Sequence, residues 1–510
     1  MSMQRVLSEP IGRCTAKASC PKRHATIAEG DIATWREHML RASDPLIHAE
    51  IAMAELVSMK CSGQVSHQLQ KKAGLAKAFR KRGGTLDSLE EHEEPLLQEG
   101  EKAPEIVGFT FRQATTTMFN CMVGASVLAL PFAVAKAGLF GFVVLSAVAC
   151  MMGATAYLIG ANLAIVAERP EAKDVPPSCH DWSLIGSIAF GSSGKAVISI
   201  LFLCDLSSCL VTFLIASGIN LPLIAPELLE PVSATVLSGI LAFGLLYVPI
   251  RFFAYFSVLG IVAQLVMFLF LLMTGAGVAR EDPGLIANDF KLIDATALTG
   301  MLGCFIGCFN AHSTVPTVYQ NVIDKSQWFG IVFTSTMMAF AFYTIVGLVG
   351  YAAFGHQVSQ AFTANLGRNM KGEPLDGMEF MAPLSAALIA TKMLVTVPAM
   401  SRPIVAFIEA RARFAQGWVG SMLIKASLTT VLTVLAVLGR SMLPYVTAVR
   451  GAVVQVLIAI VMPQAAFITL QWDTLTMARK SCLILLAIGA YLVTVPGAVE
   501  DVRVIAAAAR

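Results

Sequence analysis

Charge is scarce in this chain. Only 14% of its 510 residues are Asp, Glu, Lys or Arg, while 56% are hydrophobic; soluble domains carry about 25% charged residues. A deficit of this size excludes an ordinary soluble globular protein. The net charge of +3 is close to neutral for the length, so nucleic acid is not expected as a partner. No Gly-x-x-x-x-Gly-Lys-Ser/Thr loop occurs, which leaves ATP-driven pumping unsupported. No Asn-x-Ser/Thr sequon occurs either, and N-glycosylation is not expected. The first 100 residues hold no apolar stretch of signal-peptide length, so the first membrane span is expected to do the targeting. Most of the eleven cysteines fall in the N-terminal tail or in apolar runs and none in a loop assigned outside, so no disulfide framework is expected. Cys304 and Cys308 share a helix face, but no His or further Cys stands at ligand spacing, so no metal site is expected. They read as small packing residues, as do Cys204 and Cys209.

What is abundant is apolar sequence in long runs. Residues 1–108 are mixed and polar, with a basic cluster from Lys71 to Arg82 and an acidic run from Glu90 to Glu94. Such a segment buries too little apolar surface to fold alone. It reads as a mostly disordered cytoplasmic tail with a short helix at 31–60. Its basic cluster is either plain solvated charge or an anchor to anionic lipid, and a regulatory protein is the other candidate partner. From Phe109 onward, runs of the length needed to cross a bilayer lie at 110–138, 140–167, 195–220, 233–250, 254–278, 296–322, 328–355, 379–409, 423–443, 446–470 and 481–498. The fold class is therefore an all-α membrane protein of about 11 transmembrane helices over 109–498, with a short C-terminal tail at 499–510. Lys and Arg are twice as frequent in the loops assigned inside as in those outside, with the 221–232 loop holding none. The N-terminus is expected on the cytoplasmic side.

Two of these runs are interrupted. The first contains Gly124, Ala125 and Ser126 with Pro131 following; the sixth contains Gly300, Gly303, Gly307, Asn310 and His312 with Pro316 following. Glycine and proline weaken a helix, and backbone groups freed at membrane depth are tolerated only where they line a polar cavity. Discontinuous spans one and six fall at matching places in two halves of five spans each. That pattern points to a transporter site between 5+5 inverted repeats. A half-helix N-terminus attracts a carboxylate, and unwound carbonyls attract an ammonium group or a cation. An α-amino acid carries both charges on one carbon.

These segments resemble the amino acid/auxin permease family, part of the amino acid–polyamine–organocation superfamily, which includes sodium-coupled neutral and vacuolar amino acid transporters. The match runs from about Phe109 to Thr494. It is carried by Gly124-Ala-Ser-Val-Leu-Ala-Leu-Pro-Phe132 with Ala137-Gly138, by Asp181-Trp182 with Ala189-Phe190-Gly191, by Phe309-x-x-His312 with Pro316 and Tyr319, by Gly350-Tyr351 with Phe354-Gly355, and by Thr396-Val397-Pro398 with Pro403. The resemblance implies a substrate cradle at Gly124, Ala125 and Ser126 and around Phe309 and Asn310. It also implies an ion site, since Asn120 and Thr396 occupy positions similar to those that help hold sodium in coupled relatives.

Ionisable residues inside spans are costly and mark function. Asp205 in span three is either a carrier of a coupling proton or a carboxyl bonded to a neighbouring helix. Lys392 lies one turn before Thr396 on the same face. Its ammonium is placed to stand in for a cation, which would make transport independent of sodium; the plain alternative is a pair with Asp205 or snorkelling. His312 is a candidate gate or proton relay, or a structural link across the broken helix. Arg112 is an interface anchor or an inner-gate partner. The expected function is secondary transport of an amino acid, coupled to H+ or Na+, at the plasma membrane or a vacuolar or lysosomal membrane, with no cofactor. The competing readings are a nutrient sensor on a transporter fold and an intramembrane enzyme, for which His312 and Asp205 are the sole candidates.

Overall fold

The computed structural model describes residues 108–173, 175, 180–248, 253–281, 290–411 and 417–508. The expected tail helix at 31–60 and both charge clusters of the tail lie outside the described residues. All regular structure among the described residues is helical, apart from two isolated bridges, one of which pairs Phe109 with Val322.

In chain order the helices are α1 (Phe111–Met122), α2 (Ser126–Ala137), α3 (Gly141–Ala167), α4 (Trp182–Ile224), α5 (Pro231–Leu245), α6 (Phe253–Glu281), α7 (Ala295–Cys308), α8 (Val315–Asn321), α9 (Trp328–Phe354), α10 (Met381–Arg411), α11 (Trp418–Gly439), α12 (Leu443–Arg450), α13 (Met462–Leu470) and α14 (Met477–Ala508). A π-helical stretch, Gly451–Val461, joins α12 to α13. Eight of the helical segments are long and apolar enough to cross a bilayer unaided, and the bent pair α1–α2 adds a ninth. The other two expected spans are α5, only 15 residues long, and the interrupted pair α7–α8.

Local chemistry sets the ends. Thr110 and Gln113 form a capping box that starts α1, Asp181 accepts from the Ser183 and Leu184 N–H groups to start α4, and Asp294 accepts from Ala297 N–H to start α7. The third span was expected at 195–220; the helix instead begins at Trp182 and kinks at Gly191, whose φ of 73° is left-handed. The last helix continues to Ala508, through most of the segment read as a C-terminal tail.

The spans sort into two packed groups. α4 packs against α10 and α5, and α5 against α11; α9 packs against α1, α2 and α3, and α2 against α7. α6 bridges the two groups, lying on α10 and α9, and so does the stretch from α12 to α13: α12 and the π-helical stretch lie on α4 and α7, and α13 lies on α4 and α3. Only 17% of the apolar stretch of α14 is buried, so this helix is exposed on most of its surface. Of the helices at the two breaks, α2 and the second half of α7 are buried over most of their length.

Candidate substrate site at two helix breaks

The first break bends α1 against α2 by 60°. Val123 leaves the helix with φ −80° and ψ 84°, and the Gly124 N–H turns back to the Met122 carbonyl at 2.9 Å, an inverse γ-turn. α2 then opens at Ser126 without a side-chain cap on its N-terminus. Its Val127 and Leu128 N–H groups turn back to the Gly124 and Ala125 carbonyls at 3.4 and 3.1 Å, which leaves the Ala125 and Ser126 N–H groups at the break.

The carbonyls released at this break are taken by three other helices. The Tyr343 hydroxyl of α9 donates to the Met122 carbonyl at 2.8 Å. The Val123 carbonyl accepts from Lys392 Nζ of α10 at 2.9 Å and from Gln264 of α6. The Lys392 stem crosses α6 at Gly260, where an added Cβ would stand 3.3 Å from Lys392 Cγ. Lys392 therefore does not pair with Asp205; its ammonium is spent on the unwound turn. Thr396 donates to the Lys392 carbonyl at 2.7 Å within its own helix. Asn120, one turn before Val123, has a buried Oδ1 with no partner among the described residues. Arg112 is exposed near the start of α1, about 18 Å along the helix from Gly124 at 1.5 Å per residue.

The second break has the same local form. α7 ends at Cys308, and the Ala311 N–H turns back to the Phe309 carbonyl at 3.0 Å around Asn310. One 3-10 turn, His312–Thr314, leads into α8. Phe309 is fully buried, edge-on to Tyr343 with ring centroids 5.5 Å apart. The two breaks touch each other: Ser126 Oγ donates to the Gly307 carbonyl at 3.1 Å.

Asn310 meets the buried charges. Its Nδ2 lies 3.4 Å from both oxygens of Asp205, and Ser313 Oγ donates to Asp205 Oδ2 at 2.5 Å. Asp205 pairs with Arg450 Nη2 at 3.1 Å, with both side chains buried. With the Gln455 amide turned so that its oxygen faces Arg450, that oxygen accepts from Arg450 Nη1 at 3.1 Å, from Nη2 at 2.7 Å and from Asn310 Nδ2 at 2.7 Å. Close packing of α7 on α12 makes this possible. A Cβ on Gly303 would fall 1.8 Å from the Ala448 carbonyl, and one on Gly451 equally close to the Gly303 carbonyl. His312 is bound elsewhere: its Nε2 faces Thr155 Oγ1 at 2.9 Å and the Met152 carbonyl at 3.1 Å, while Trp182 donates to its carbonyl at 3.1 Å.

The structure thus gathers Gly124, Ala125, Ser126, Phe309 and Asn310 at one place, with Lys392 and Asp205 each fastened to a break. Arg450, Gln455, Gln264, Tyr343 and Ser313 were not singled out from sequence. Arg450 carried a usable signal, a charge within an apolar run. The others are common residues whose role lies in long-range pairing. No group of three or more His, Cys, Asp or Glu placed to hold a metal occurs among the described residues.

Two broken helices meeting at the centre of a polytopic bundle define a membrane transporter class. The chain belongs to the transmembrane amino acid transporter protein family, which it matches over residues 108–499. It is therefore a transporter of amino acids and not an enzyme. Among curated relatives it is 23% identical to amino acid transporter AVT1B of Arabidopsis thaliana over 394 residues, 75% of this chain and 68% of the relative. It is also 23% identical to AVT1E of the same plant over 399 residues, 74% and 70% of the two chains. Solved structures similar to it include MhsT in complex with L-phenylalanine (TM-score 0.45, 12% identity, 76% of this chain and 98% of that one). A manganese transporter of Eremococcus coleocola is another (TM-score 0.41, 12% identity, 79% and 97%).

Proposed function

We propose that the amino acid is held across the two breaks and that the Lys392 ammonium occupies the place of a coupling cation. The uncapped N-terminus of α2 receives the substrate carboxylate. The turn at Phe309–Asn310 receives the ammonium group. Gly124, Ala125 and Ser126 contact the substrate through the backbone, which suits any α-amino acid, and Phe309 walls the site. The observation that carries this reading is the Ser126–Gly307 hydrogen bond, because it brings the positive end of one half-helix against the negative end of the other.

Lys392 supports sodium-independent, proton-driven transport. Its Nζ already fills a carbonyl site at the first break, one turn of α10 from Thr396, and Asn120, one turn before that break, carries a buried Oδ1 without a partner among the described residues. A sodium ion there would compete with a resident positive charge. The excess of Lys and Arg in alternate loops supports a cytoplasmic N-terminus, and the basic cluster at Lys71–Arg82 supports contact of the tail with anionic lipid.

The purified protein in liposomes, offered radiolabelled L-alanine, L-leucine, L-glutamine, L-arginine and L-glutamate, tests the reading. Uptake of at least one label is expected to persist when choline replaces sodium and to rise with an imposed proton gradient. Absence of uptake for every label, or a strict need for sodium, would refute it.

A further inference from the structure

Arg450 is costly where it stands. It is buried in the tenth span, and a guanidinium at membrane depth persists only where partners compensate it. If it served only to neutralise Asp205, both prongs of its planar fork would close on the carboxylate. Instead Nη2 alone reaches Asp205, at 3.1 Å, while Nη1 and Nη2 both face the Gln455 oxygen at 3.1 and 2.7 Å. Both of its acceptors also accept from Asn310 Nδ2. The guanidinium fixes two groups, and those two fix one amide. Holding the amide nitrogen from two sides sets the direction of the amide oxygen. Asn310 Oδ1 is buried and has no partner among the described residues.

The internal repeat supports the same conclusion independently. The interval in sequence from Val123 to Asn310 equals the interval from Asp205 to Lys392. Each residue is the centre of a break, and each charge lies on the third span of a half. The contacts cross between halves: Lys392 grips Val123, and Asp205 grips Asn310. The signs of the two charges differ. A lone carboxylate at the second break would repel the substrate carboxylate and attract cations into the cradle. Arg450 cancels that charge.

We propose that Arg450 is a positioning residue for amino acid binding: through Asp205 and Gln455 it orients Asn310 so that the free amide oxygen receives the substrate ammonium group. This rests on the reading of Asn310 as a cradle residue. The full-length protein in liposomes and radiolabelled L-alanine, L-leucine and L-glutamine provide the test. R450K keeps a charge beside Asp205 but replaces the fork by one ammonium. The double variant D205N/R450Q removes both charges together, so neither variant leaves a lone buried ion. In both, KM for the best-transported label is expected to rise about tenfold, the scale of one lost hydrogen bond to a charged group, with the maximal rate held within about twofold. An unchanged KM in either variant, or a lower maximal rate at unchanged KM, overturns the proposal. A wild-type protein that moves none of the labels overturns the transport reading and this proposal with it. Wild-type uptake beside an indifferent R450K overturns this proposal alone.

Discussion

The two breaks share a backbone solution and differ in how their polar groups are satisfied. At both, one N–H turns back to the carbonyl two residues earlier, Gly124 to Met122 and Ala311 to Phe309. At the first break the exposed groups are main-chain carbonyls, and donors from three helices converge on them: Tyr343, Lys392 and Gln264. At the second the pinned group is a side-chain amide, and its acceptors need a counter-charge, Arg450. The same geometry has been closed once with a single cation and once with an ion pair. The difference teaches that a repeat preserves backbone shape more faithfully than the charges that support it.

The comparison breaks most severely at the ion pair. Asp205→Ala strands the Arg450 guanidinium in the bundle, at a cost of about 3–5 kcal/mol for an uncompensated buried charge. A large drop in melting temperature and loss of uptake are expected; a variant as stable as wild type would show that the pair is not buried in function. Lys392→Ala removes the built-in cation from the first break. Loss of a charge-assisted hydrogen bond of about 1.5–3 kcal/mol is expected to cut uptake at least tenfold in choline, with partial recovery on adding sodium. Recovery that is equal in choline and sodium would remove the idea of a substituted cation.

The breaks were legible in sequence for a local reason. Gly124, Ala125 and Ser126 interrupt an apolar run, as do Gly307 and Asn310, and helix-weakening residues act on their own neighbourhood. What was not legible is pairing at a distance. Asp205 and Arg450 are separated by 245 positions, and periodicity says which face a residue occupies, not which helix it meets. Arg450 also stands close to the start of its span, where a basic side chain ordinarily snorkels to the interface. Lys392 was correctly placed one turn from Thr396, but its partner, a carbonyl freed by the first break, has no signature in the sequence at all. The polar contacts of His312 with Thr155 and Met152 were equally hidden, since they join the sixth span to the middle of α3.

Smaller changes sharpen the contrast. Tyr343→Phe deletes one donor to the Met122 carbonyl while keeping the ring against Phe309, and about 1 kcal/mol is expected, read as a several-fold fall in uptake. Trp182→Phe removes the donor to the His312 carbonyl at the far side of the second break. It should lower thermal stability by a similar or smaller amount and leave KM unchanged; a raised KM would extend the substrate site to α4.

Gly124 offers the most direct measurement. A Cβ built there meets no atom of the described residues within 4 Å, although the glycine lies at the centre of the bundle. Gly124→Val should therefore fold and melt like the wild type while filling the space between the breaks. The account predicts normal expression with a KM for the transported amino acid raised at least about tenfold, the scale of losing one good contact. Undiminished uptake by a folded Gly124→Val protein would contradict it, because the substrate would then have to sit elsewhere.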